Sequence, residues 1–179
     1  MKMYRCRICG ETHLGYEKPS NCPFCGAHAD LIVLSPEYPA DINEVPLTET
    51  ERDDVLTSIE IERSNVRFYL AMAAHKDNDM LSSAYKRLSQ IESEHCSLFC
   101  KLARLPKPAD LLDPSEASDD WCANIDESLA RERKASNFYA EVMSRAVNER
   151  IREVFGAVSA VEADHIDLDN LAKDYAGCV

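Results

Sequence analysis

Glu62, Glu92 and His95 recur 70 residues later as Glu132, Glu162 and His165, so one constellation is written twice in this chain. In each copy a lone glutamate precedes a Glu-x-x-His by 30 residues, and a Phe-Tyr pair (Phe68-Tyr69, Phe138-Tyr139) follows the lone glutamate. On a helix, Glu-x-x-His sets a carboxylate and an imidazole on one face. Four carboxylates and two imidazoles repeated at one offset point to a two-metal site inside a four-helix bundle. Mixed oxygen and nitrogen donors favour iron or manganese over a soft-metal site. A single Glu-x-x-His is ordinarily a solvated surface feature. Here both copies fall on the apolar stripe of their helices, where an unpartnered carboxylate would cost several kcal/mol. Glu94 and Asp164 point away from that stripe and are expected to be solvated.

A second chemistry-bearing set lies at the start. Cys6-x-x-Cys9-Gly10 and Cys22-x-x-Cys25-Gly26 are two knuckles whose spacing gives tetrahedral four-thiolate ligation of one metal. Zinc ribbons and thiolate-iron sites share this spacing, so iron and zinc both remain open. The remaining cysteines carry less. Cys96 and Cys100 share a helical face and are expected to be buried free thiols. Cys122 and Cys178 have no visible partner. His13, His28 and His75 are expected to be surface or structural, and Trp121 to anchor the third helix.

The elements that position these residues follow from the pattern. Residues 1–34 hold both knuckles and three of the five glycines, too little to build a core without metal. Residues 35–47, with Pro36, Pro39 and Pro46, read as a linker. Residues 48–179 read as the bundle. Thr48-x-x-Glu51 is a capping box that opens helix one. Val55, Ile59, Glu62, Val66, Tyr69 and Ala73 line one face of it. Asp77-Asn78-Asp79 starts helix two, which ends before Pro106 and Pro108. Helix three runs from about Asp119 to Ala146, and a turn at Asn148 leads to helix four. Two antiparallel hairpins bring the four glutamates to one level. The proline-rich connection between helices two and three is long enough to run the bundle's length, about 37 Å for 25 residues. The expected topology is therefore the long-crossover one, with helix three returning parallel to helix one.

The bulk properties agree. The formal charge of −12 excludes nucleic acid and an anionic membrane as partners, since both need a basic face. No apolar run is long enough to span a membrane, and the first residues have no signal-peptide stretch. A cytoplasmic, reducing setting is expected, with the knuckle cysteines as metal ligands.

The bundle segment resembles the ferritin-like di-iron domain of rubrerythrins, with Glu62-(x)5-Phe68-Tyr69 similar to that family's pattern. The resemblance implies that Glu92 and Glu162 bridge two irons, that Glu62 and Glu132 are terminal, and that His95 and His165 each cap one iron. It also implies that Tyr69 and Tyr139 hydrogen-bond ligand glutamates. One position departs: Ala135 stands where rubrerythrins carry an extra glutamate, which makes the ligand set symmetric and closer to bacterioferritins. The knuckles, with Gly15, Pro19 and Cys22-Pro-Phe-Cys25-Gly-Ala, resemble the rubredoxin domain of the same family. That domain lies N-terminal here, as in reverse rubrerythrins. The fold expected is thus mainly α: a ferritin-like four-helix bundle with a long helix 2–3 crossover, plus a small N-terminal rubredoxin-like metal domain. The function implied is a non-haem di-iron peroxidase that reduces hydrogen peroxide to water for oxidative-stress defence. Its electrons come from a reductase through a mononuclear four-cysteine iron. A ferroxidase or O2-reducing iron-handling protein is the alternative that the symmetric set favours. The 13-residue linker suggests a head-to-tail homodimer, with one chain's relay beside the other's bundle.

Overall fold

A computed structural model describes residues 1–178; Val179, the expected end of the bundle, lies outside the described residues. Three short antiparallel strands come first: β1 (Lys2–Cys6), β2 (Thr12–Gly15) and β3 (Ile32–Leu34), in the order β2-β1-β3. Four long helices follow: α1 (Glu49–Ala73), α2 (Asp79–Ala103), α3 (Trp121–Arg145) and α4 (Glu149–Ala176). Each start is fixed by a side-chain cap. Thr48 and Glu51 form the expected capping box, while Asn78, Asp120 and Asn148 accept from first-turn amides. Helix α2 stops at Arg104, in the left-handed conformation, ahead of Pro106.

The connection between α2 and α3 runs the length of the bundle along α1. Asp110 pairs with Arg63 and Arg67, and the Ser115 amide donates to the Arg67 carbonyl at 3.0 Å. At its end, Trp121 Nε1 donates to Asp77 Oδ1 (3.1 Å), so α3 begins where α1 finishes. Arg145, at the other end of α3, pairs with Asp54 near the start of α1 (2.6 Å). Helix α3 is therefore antiparallel to α1, not parallel as expected. The reason is geometric: α2 ends at the level where α1 starts, and a full-length crossover carries the chain back to the opposite end before α3 turns inward. The long crossover itself is as expected. His75 lies against Trp121, with ring centroids 5.4 Å apart and planes tilted by 55°, so both help to seat the start of α3.

The core is divided by the glutamate layer. One apolar cluster, with Tyr69, Met72, Tyr85, Leu88 and Trp121, fills the end where α3 begins. The other holds Phe99, Tyr139, Val154, Phe155 and Val158, and is continuous with Tyr4, Ile8, Ala27 and Ile32 of the N-terminal strands and knuckles. The small domain thus completes its core against its own bundle. Residues 35–47 are held as well: Arg5 stacks on the Tyr38 ring at 3.9 Å, and Asn43 accepts from Arg150. Cys122 and Cys178, expected to be unpartnered, are bonded to each other and tie the start of α3 to the end of α4. Among the described residues, no helix is long and apolar enough to cross a membrane.

Candidate metal centres

All four glutamates are fully buried, His95 is fully buried and His165 is 5% exposed. They form two overlapping groups of close donors: Glu62, Glu92, His95 and Glu162, and Glu92, Glu132, Glu162 and His165. The groups share Glu92 and Glu162, the two carboxylates that reach both halves. The distances agree. His95 Nδ1 lies 3.0 Å from Glu92 and 3.3 Å from Glu162, and His165 Nδ1 lies 3.0 Å from Glu162 and 3.1 Å from Glu92. Glu62 and Glu132 each stand beside one histidine only, at 3.8 and 3.6 Å.

The residues fit a pair of cations. One oxygen of each glutamate is buried without a hydrogen-bond partner, and four such carboxylates in an apolar bundle need positive charge among them. Burial, with neighbouring Glu92 and Glu162, holds the Glu62 carboxyl well above the usual range, and burial does the same for Glu132. Burial would lower His95 and His165, but the surrounding carboxylates raise both. This donor set supports a di-iron centre.

Each terminal glutamate is steadied from the opposite helix. Tyr69 donates to Glu132 and itself accepts from Ser128 Oγ (3.1 Å), while Tyr139 donates to Glu62 Oε1 at 2.6 Å. Burial raises both phenols well above their ordinary value, so they remain donors. Tyr85 makes a similar bond to Asp169 (2.7 Å) one helical turn beyond His165.

The four cysteines are buried and close. Cys6 and Cys25 sulfurs are 3.7 Å apart, as are Cys9 and Cys22. Metal–sulfur bonds of about 2.3 Å in a tetrahedron give an edge of roughly 3.8 Å, so the sulfurs already stand at ligand spacing. The contact between them pushes the Cys25 thiol well up and pulls Cys22 down. The Ile8 and Glu11 amides donate to Cys6 and Cys9 sulfurs, each at 3.4 Å. Gly10 and Gly26 turn the two knuckles at positive φ (84° and 76°). Gly26 is constrained twice, because a Cβ there would meet Val161 of α4 at 2.7 Å. This set supports a mononuclear iron.

The two centres are joined by one side chain. His95 Nδ1 faces the carboxylates, and its Nε2 donates to the carbonyl of Cys25 at 2.9 Å. Lys101 donates to the Cys9 carbonyl (3.0 Å), Arg150 to the carbonyls of Arg7 (2.7 Å) and Ile8 (3.3 Å), and His28 pairs with Asp164 (2.7 Å). The 13-residue linker therefore suffices to set the cysteine site on its own bundle. Asp164 is exposed, as expected, but serves as a docking partner, and His28 gains that role. Cys96 and Cys100 are buried and free. Arg150, Lys101 and the Cys25 carbonyl gave no sequence signal, since docking through backbone carbonyls leaves no motif. The Cys122–Cys178 pair had one: antiparallel α3 and α4 place their outer ends together.

Fold and sites together define a class, a carboxylate-histidine four-helix bundle served by a four-thiolate knuckle domain. The rubrerythrin rubredoxin-like domain family matches residues 4–31. "Reverse rubrerythrin-1" of Clostridium acetobutylicum is 33% identical over 112 residues, which cover 57% of this chain and 62% of that relative. The match thus spans under two thirds of the relative's length. No solved structure matches the chain. The chain is thus similar to rubrerythrins in its N-terminal domain and to a reverse rubrerythrin over part of its length.

Proposed function

We propose that the chain is an iron-based oxidoreductase, a non-haem di-iron peroxidase that reduces hydrogen peroxide to water. The observation that carries this reading is His95, which touches the glutamate cluster with one nitrogen and the Cys25 carbonyl with the other. When bound, the iron pair supplies two electrons together to an O–O bond and the thiolate iron restores them singly. Glu62, Glu92, His95, Glu132, Glu162 and His165 would hold the pair, and Cys6, Cys9, Cys22 and Cys25 the single iron. Tyr69 and Tyr139 fix the terminal carboxylates and hold their protons. The two apolar clusters keep bulk water from the layer between them.

The proposal includes an upstream electron-donating reductase and a cytoplasmic setting in oxidative-stress defence. A head-to-tail homodimer would add a route between chains to the one inside each chain. Mixing a Cys25→Ala variant with Glu92→Ala distinguishes them, because only exchange between chains restores activity. Ala135, buried and without a carboxylate, favours ferroxidase or O2-driven iron handling as the second reading. Stopped-flow oxidation of the reduced protein by each oxidant decides. Peroxide reacting much faster than O2, with turnover, supports the peroxidase. Faster O2 oxidation with little peroxide turnover supports the ferroxidase.

A further inference from the structure

Helices α1 and α3 enclose a solvent-open cleft of about 400 Å³ between Thr57, Ser64, Asn65, Arg131, Lys134 and Ala135. The knuckle domain docks on α2 and α4, through Lys101, His95, Arg150 and Asp164. Electrons and a small molecule can therefore approach the glutamate layer from different sides. Asn65 follows Glu62 by one helical turn, and Ala135 follows Glu132 by one turn, so the cleft wall stands next to both terminal carboxylates. Asn65 and Ala135 also occupy equivalent places in the 70-residue repeat.

Asn65 is the unusual member. It is 2% exposed, it lines the cleft, and its amide nitrogen has no hydrogen-bond partner. A buried amide donor without a partner costs about 1–3 kcal/mol and calls for an acceptor. The methyl group of Ala135 leaves room opposite it. We propose that this cleft is the oxidant's binding site, and that Asn65 Nδ2 donates to an oxygen of hydrogen peroxide. Peroxide accepts and donates hydrogen bonds, whereas O2 is a very weak acceptor. Asn65 is thereby a specificity-determining residue that favours peroxide over O2. This inference rests on the peroxidase reading.

The test separates the two. In the iron-loaded protein, Asn65→Ala should raise KM for peroxide about five- to ten-fold, the worth of one hydrogen bond, with kcat little changed. The rate with O2 should not fall. Asn65→Ser, which keeps a donor, should restore much of the KM. In 15N-labelled, zinc-loaded wild-type protein, the Asn65 side-chain amide resonances should shift in a saturable way on adding hydrogen peroxide. Wild-type turnover with an unchanged KM in Asn65→Ala, or no amide shift, overturns the inference alone. Absence of peroxide turnover in the wild type overturns the peroxidase reading. Should Asn65→Ala fail to fold, the wild-type amide titration decides by itself.

Discussion

Arg150 fastens three parts of the molecule, and removing its head group should release the cysteine domain from the bundle. Its side chain is 5% exposed. It donates to the carbonyl of Arg7 (2.7 Å), to Asn43 Oδ1 (2.9 Å) and to Glu153 (2.7 Å). In Arg150→Met the stem stays and the donors go. Glu153 retains Arg7 at 2.8 Å, so the acceptors of Arg7, Ile8 and Asn43 are left uncompensated. Hydrogen bonds from a charged group are worth about 1.5–3 kcal/mol each, and water recovers part of this on opening. A net loss of about 3 kcal/mol weakens docking by roughly 100-fold. Two assays read it. Cleavage at Glu37 and Glu44 of the linker by a glutamyl endopeptidase should accelerate, because cleavage tracks the open population. Peroxide-driven reoxidation of the reduced thiolate iron should slow, while the bundle's metal content stays at the wild-type value. Unchanged cleavage with unchanged reoxidation would mean that Arg150 does not hold the cysteine domain on the bundle.

Burial raises the Asp169 carboxyl to about 6, although Tyr85 donates to it. The folded state then holds this proton more tightly than the unfolded chain, so its stabilising effect is full below about pH 4 and lost as pH rises through 6. Asp169→Asn should remove that slope relative to wild type and stabilise the protein at neutral pH by about 2–3 kcal/mol, read by urea unfolding between pH 4 and 8. Tyr139→Phe removes the donor to Glu62 and should lower iron affinity of the bundle by about 10–100-fold in competition with a chelator, leaving the knuckle's colour intact. Cys122→Ser should lose about 4 kcal/mol of stability under oxidising conditions, from a bond closing a 56-residue separation, and nothing under reducing ones.

The ligand set was legible in the sequence because a bundle writes its metal site as a period. Glu92 and His95 sit three apart, and the second copy sits 70 further on. Helix starts were legible for a similar reason, since Thr48, Asn78 and Asn148 cap within their own first turn. Chain direction was harder. The length of the crossover could be read, but its consequence for α3 depends on which end α2 leaves from, and this reversed the expected sense. Contacts between the two domains were not legible, because Arg150 and His95 meet backbone carbonyls that every sequence offers. The opposed Asn65 and Ala135 were visible only in part: the missing glutamate showed, but the cleft it leaves did not.

On the proposed function, the glutamate–histidine cluster and the four-thiolate site of one chain work as a single electron path. It is tested most directly by following the colour of the reduced thiolate iron after adding peroxide, in wild type and in Glu92→Ala, across a range of protein concentrations. Rapid reoxidation is expected in the wild type, with a rate constant independent of protein concentration, and loss of that phase in Glu92→Ala while its thiolate iron is still bound. Equal rates in the two proteins, or two bundle ions retained without Glu92, would contradict it.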